Sequence, residues 1–107
     1  MKEVKKELQK VIKTIREQIG VSIEFNGQKI PSCSYPKAVF TEKQMQERQA
    51  TIDCSYDLTE EHSRDMAIKV LKNPVFTAFL EKHNASANTE DYKKYKYTFT
   101  RVRVHFH

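Results

Sequence analysis

The sequence predicts an α+β domain, with helices packed on one face of a mainly antiparallel sheet of about four strands. Three observations carry this. The chain opens on a long amphipathic helical stripe, continues into segments that alternate with a period of two, and closes on a strand-like run after a second helical region. The element order reads α-β-β-β-α-(α)-β, and residues 1–107 make one domain.

The helix comes first. Val4, Leu8, Val11, Ile12, Ile15 and Ile19 form one stripe, and Lys2, Glu3, Lys6, Lys10, Lys13 and Glu17 lie opposite. Gly20 stands where a left-handed C-cap is wanted, so the helix covers about residues 2–19. In Val21–Phe25, Val21, Ile23 and Phe25 share one face of a strand. Asn26-Gly27 is a tight-turn pair, and Pro31 keeps the return arm short. Residues 31–36 read as a loop, and residues 37–41 suit another strand.

Residues 42–49 are polar. Thr41 and Gln44 have the spacing of a capping box for a short helix. The favoured reading is instead the tip of a long hairpin, because a clear strand follows: Ala50, Ile52, Cys54 and Tyr56 alternate with Thr51, Asp53 and Ser55. Thr59 then reads as an N-cap, with Glu60 and Glu61 in the first turn. Met66, Ala67, Val70 and Leu71 form that helix's buried stripe. Asn73-Pro74 ends it and starts a second short helix that buries Val75, Phe76, Phe79 and Leu80. Residues 84–91 have loop composition.

The last segment changes phase. Tyr95, Tyr97 and Phe99 share one parity, and Val102, Val104 and Phe106 share the other. A bulge near Thr100, or passage from one packing environment to another such as a subunit interface, would produce the switch. Val102, Val104 and Phe106 are expected on the core, and Tyr95, Tyr97 and Phe99 are expected to face away from it or into a partner.

Charge is concentrated in the same place. The net charge is +5, and residues 93–107 contain Lys93, Lys94, Lys96, Arg101 and Arg103 with no acid. The other 92 residues hold 14 basic and 14 acidic side chains. Localised charge implies a local partner or role. The candidate interface or nucleic-acid contact is therefore Lys93, Lys94, Tyr95, Lys96, Tyr97, Phe99, Arg101 and Arg103.

Catalytic chemistry finds no footing. With two glycines there is no phosphate-cradling loop, and no nucleophile elbow is present. Cys54 lies on the apolar side of its strand, and Cys33 and Cys54 do not make a disulfide framework. Asp53, Asp57, Glu60, Glu61 and Asp65 read as a solvated strand end and a charged first helical turn rather than a cation site. His105 and His107 share a strand face but lack a third ligand, and His62 and His83 have no i+4 partner. No cofactor or small-molecule substrate is expected. Asn84-Ala85-Ser86 matches a glycosylation sequon, which carries no meaning without a secretory signal. The N-terminal residues lack a signal-peptide pattern, and no apolar run is long enough to span a bilayer. An intracellular location is expected.

The layout resembles the tail terminator, or tail completion, proteins of long-tailed bacteriophages. An N-terminal amphipathic helix leads into VSIEFNGQKI. The segment SYPKAVF enters the next strand, TEKQMQERQ joins it to ATIDCSYDL, and YKYTFTRVRVHFH closes the chain. The resemblance covers nearly all 107 residues without a diagnostic motif, and the excursion and post-helix region are short here. It implies a non-enzymatic protein that forms a homo-oligomeric ring with other tail or head-completion proteins, in the host cytoplasm during assembly and in the virion.

Two alternatives stand beside it. One is a nucleic-acid-binding module that uses the basic, aromatic terminal strand. A double-stranded-RNA-binding module also runs α-β-β-β-α, but TEEHSRD, at the start of the second long helix, is mostly acidic where such modules are basic. The other alternative is a small phage-encoded inhibitor of a host enzyme.

Overall fold

The computed structural model describes residues 2–19, 22–25, 28–31, 35–55 and 59–107. The readings placed on Gly20, Asn26-Gly27, Cys33, Tyr56 and Asp57, and on the faces of Val21, Ile23 and Phe25, lie outside what is described.

The fold is α+β. Helix α1 (Lys2–Ile19) precedes a two-stranded antiparallel sheet of β1 (Ser22–Phe25) and β2 (Gln28–Pro31). The chain then forms β3 (Lys37–Val39), α2 (Glu42–Gln46), β4 (Gln49–Asp53), α3 (Glu60–Lys72), α4 (Pro74–Lys82), β5 (Ala85–Lys94) and β6 (Tyr97–Phe106). The main sheet is antiparallel in the order β3-β4-β6-β5.

Helix α1 occupies its predicted range, and its stripe buries Leu8, Ile12 and Ile15. These meet Ala50, Ile52 and Cys54 from the β4 segment, Met66, Ala67 and Val70 from α3, Phe76 and Phe79 from α4, and Val102, Val104 and Phe106 from β6. The terminal-strand triad thus packs on the core as its alternation requires. Phe79 and Phe106 meet edge to face at 6.2 Å. The helix caps also fall where the sequence puts them. Thr59 accepts from the His62 N–H, and Asn73 accepts from the Val75 N–H with Pro74 in the first turn.

Two readings are corrected. Residues 42–46 form a helix, not a hairpin tip: Thr41 Oγ1 accepts from the Gln44 N–H, and Gln44 Oε1 accepts from the Thr41 N–H. This capping box satisfies two donors at the N-terminus, and Gln44 Nε2 ties the turn to Thr51 Oγ1 at 2.6 Å. Residues 85–91 are strand, not loop, and pair with β6 from Ala85–Phe106 to Lys94–Tyr97. Their Ala-Ser-Asn composition gives little strand propensity; the neighbouring strand supplies the ladder.

No bulge explains the phase change in β6. Its register with β5 runs without interruption. The two parities are the two faces of the sheet. Thr100, Val102, Val104 and Phe106 share the helix-covered face, while Tyr97, Phe99, Arg101 and Arg103 share the outer face. Beyond Arg101, which lies opposite Asp53, β6 has no β4 partner, so β5 and β6 overhang as a two-stranded ribbon.

Helix α3 closes the base of that overhang. Buried Ser63 donates to Thr100 O at 3.0 Å and accepts from the Thr100 N–H at 2.8 Å, replacing the missing strand. Replacing Ser63 with Ala strands both Thr100 backbone groups. It is expected to cost about 1–3 kcal/mol, read as a lower midpoint in urea unfolding with unchanged m-value.

Candidate functional site

The outer face of the sheet and the free end of the β5–β6 ribbon contain all eight predicted site residues. The structure divides them into two groups. Arg101 and Arg103 are held within the sheet. Arg101 Nη2 donates to Glu90 Oε1 at 2.9 Å, and its guanidinium lies 4.7 Å from the Tyr92 ring centroid. Arg103 Nη1 donates to Gln49 Oε1 at 3.0 Å, and its Nε stands 3.3 Å from Glu90 Oε2. Arg101 therefore hydrogen-bonds Glu90 while Arg103 pairs with it by charge, and Arg101 foremost holds that carboxyl below its ordinary range. Sequence spacing does not reveal Glu90 and Tyr92, because residues 84–91 have loop composition and the strand that carries both is not apparent.

Tyr92 links the ribbon to β4. Its hydroxyl donates to Asp53 Oδ1 at 3.0 Å, and the same oxygen accepts from the Ser55 N–H at 2.8 Å. Burial, first among the causes, pushes the Tyr92 phenol up to about 12. Val39, Thr41, Gln44, Thr51, Asp53, Tyr92 and Arg101 line a shallow depression of about 210 Å³ here. Its polar groups are largely occupied with one another, so it is a braced surface.

Phe99 faces away from the helix-covered core, as its parity predicts, yet it is only 8 % exposed. Its ring lies 6.2 Å from Tyr92 and from Tyr97, so an aromatic cluster covers it on the outer face.

The second group is the tip. Lys94 and Tyr97 face each other, and Tyr95 and Lys96 make the turn between them. Tyr95 is a turn residue, not a strand residue as its parity suggested. Its φ is 58°, in the left-handed region that favours glycine or asparagine, and it is 92 % exposed. Tyr97 is 47 % exposed, with Lys96 Nζ 5.6 Å from its ring centroid. Lys93, Lys94 and Lys96 are exposed around them.

No family model, curated protein or solved structure matches this chain.

Several other reactive groups among the described residues have structural settings. Cys54 is fully buried, and desolvation pushes its thiol up, away from thiolate chemistry. His83 and Lys82 both pair with Glu7, joining α4 to α1, and Lys82 is the larger cause that holds the Glu7 carboxyl down. Among the described residues, no three His, Cys, Asp or Glu side chains are grouped to hold a metal ion, and no helix is long and apolar enough to cross a membrane.

Acid should loosen these ties. Glu7 and Glu90 both have lowered folded-state values, so their contribution is complete above the unfolded carboxylate range, about 4.3. It is lost as pH falls through the folded values. Thermal melts from about pH 7 to 3 should show a falling midpoint, and Glu90→Gln should flatten that fall.

Proposed function

We propose that this chain is a non-enzymatic assembly protein whose docking element is the tip of the β5–β6 ribbon. The observation that supports it is Tyr95, a large aromatic side chain held almost wholly in solvent at a backbone conformation that disfavours it. Such a conformation costs of order 1–3 kcal/mol and persists where the surroundings, or a function, require it. Tyrosine presents broad contact area with few rotors, which suits an anchor in a partner's pocket. Lys93, Lys94 and Lys96 give the anchor a cationic collar, so the receiving surface is acidic.

An oligomer built by repeating one contact, as in the ring of a phage tail completion protein, needs two complementary surfaces on each copy. The tip supplies one of them. Light scattering after size exclusion over a concentration series tests this. Species larger than a dimer are expected, and Tyr95→Gly should remove them. A strict monomer at all concentrations, or assembly indifferent to Tyr95, overturns the reading.

The lysine collar also favours a second reading, in which the tip grips a nucleic-acid backbone. Titrating duplex DNA and single-stranded RNA at low salt separates the two. Phosphate contacts give a log–log salt slope near −0.9 per contacted phosphate on duplex DNA. Binding that is absent at low salt eliminates this reading.

A further inference from the structure

The two edges of the main sheet are managed differently. The β3 edge is three residues long and runs straight into the α2 turn, a short edge of the kind that resists pairing. The β5 edge is ten residues long with no proline, glycine or bulge. No described strand lies on its far side.

Which backbone groups β5 presents follows from β6. The Phe106 N–H donates to Arg48 O, and Thr100 bonds Ser63 through both its N–H and its C=O; all three bonds lie on the β4 side of β6. The even-numbered residues of β6 therefore point toward β4, and its odd-numbered residues point toward β5. Antiparallel pairing Ala85–Phe106 through Lys94–Tyr97 then assigns the even-numbered β5 residues to β6. Ala85, Ala87, Thr89, Asp91 and Lys93 aim their N–H and C=O groups outward.

We propose that this edge pairs antiparallel with β5 of a second copy, about a twofold axis at Thr89, joining two sheets into one of eight strands. Residues 85–93 are self-complementary in that register. Thr89 faces Thr89, Asn88 faces the second copy's Glu90, Ala87 its Asp91, Ser86 its Tyr92 and Ala85 its Lys93. No like charges stand opposite one another, and each outward residue meets another outward residue, as hydrogen-bonded antiparallel pairs require. A twofold axis normal to the sheet keeps both helical layers on one side. It sends the two tips in opposite directions, about 40 Å apart at 3.3 Å per residue. This contact is independent of the tip reading, and it would make the docking element bivalent.

The test is the mass of the intact chain in solution, by light scattering after size exclusion and by sedimentation equilibrium. Wild type is expected at twice the 12.6 kDa protomer mass as its smallest abundant species. Thr89→Pro removes an outward N–H that β6 does not use, and should leave monomer with an unchanged far-ultraviolet circular dichroism spectrum. Asn88→Glu puts two carboxylates against the two copies of Glu90, while within its own chain position 88 lies opposite Arg103. It should weaken the dimer about tenfold without unfolding the protomer. Monomeric wild type, or a dimer unaffected by Asn88→Glu, overturns the proposal. Tyr95→Gly should spare this dimer, so loss of the dimer and loss of larger species fail separately.

Discussion

Phe106→Ala is expected to remove about 3–5 kcal/mol of stability, whereas Tyr95→Ala combined with Tyr97→Ala should cost little. The two ends of one strand differ in what they touch. Phe106 is buried, packed edge to face on Phe79 and joined through it to the core of α1, α3 and β4. Truncation loses the transfer free energy of the ring and leaves a space that its neighbours fill only partly. Tyr95 has almost nothing to lose in the folded protein, and Tyr97 loses part of its contact with Phe99. Chemical unfolding of both variants reads the contrast directly. If the tyrosine pair proves as damaging as Phe106→Ala, the tip is part of the fold rather than a free arm.

The helices and the core were legible because their signals are local and redundant. Six apolar positions mark α1, and Thr59 and Asn73-Pro74 punctuate α3 and α4. The same holds for Val102, Val104 and Phe106, whose alternation alone places them on the core. What escaped was set by partners distant in sequence. β5 contains no β-branched or aromatic residue except Thr89 and Tyr92, so its strand state comes from pairing with β6. With β5 unseen, Glu90 could not be recognised as the ion-pair partner of Arg101 and Arg103, and two arginines that look like free charge are in fact engaged. The α2 helix was a different kind of miss. Its capping box was visible, but the clear strand that follows it argued for a hairpin, and reciprocal capping won.

The phase switch was visible in the sequence, but its cause was not. Within the body of the sheet, helices cover one face, so the aliphatic residues point there. At the overhang that cover ends, where Ser63 meets Thr100. The apolar groups then move to the opposite face as the Tyr92, Phe99 and Tyr97 cluster. The change in parity marks the place where the ribbon leaves the helical layer, and past that place lies the lysine-rich tip.

Tyr95→Gly should therefore move stability and assembly in opposite directions. At φ 58°, tyrosine pays a steric cost of about 1–2 kcal/mol that glycine escapes. Glycine gives back part of that gain, about 0.5–1 kcal/mol, through the greater freedom of its unfolded chain. The net result is a fold up to about 1 kcal/mol more stable, a rise of a few degrees in melting temperature for a chain of this length. Tyr95 makes no ring contact or hydrogen bond among the described interactions that would offset the gain. Assembly should respond the other way. A buried aromatic anchor typically contributes 2 kcal/mol or more, so its removal should weaken the contact about thirtyfold. Tyr95→Asn, which tolerates the left-handed region without glycine's entropy, should reproduce both effects. Melting and light scattering on the same samples decide the matter. A variant that gains stability and still assembles fully would mean that Tyr95 anchors nothing, and one that loses stability would mean that the ring supports the turn from within.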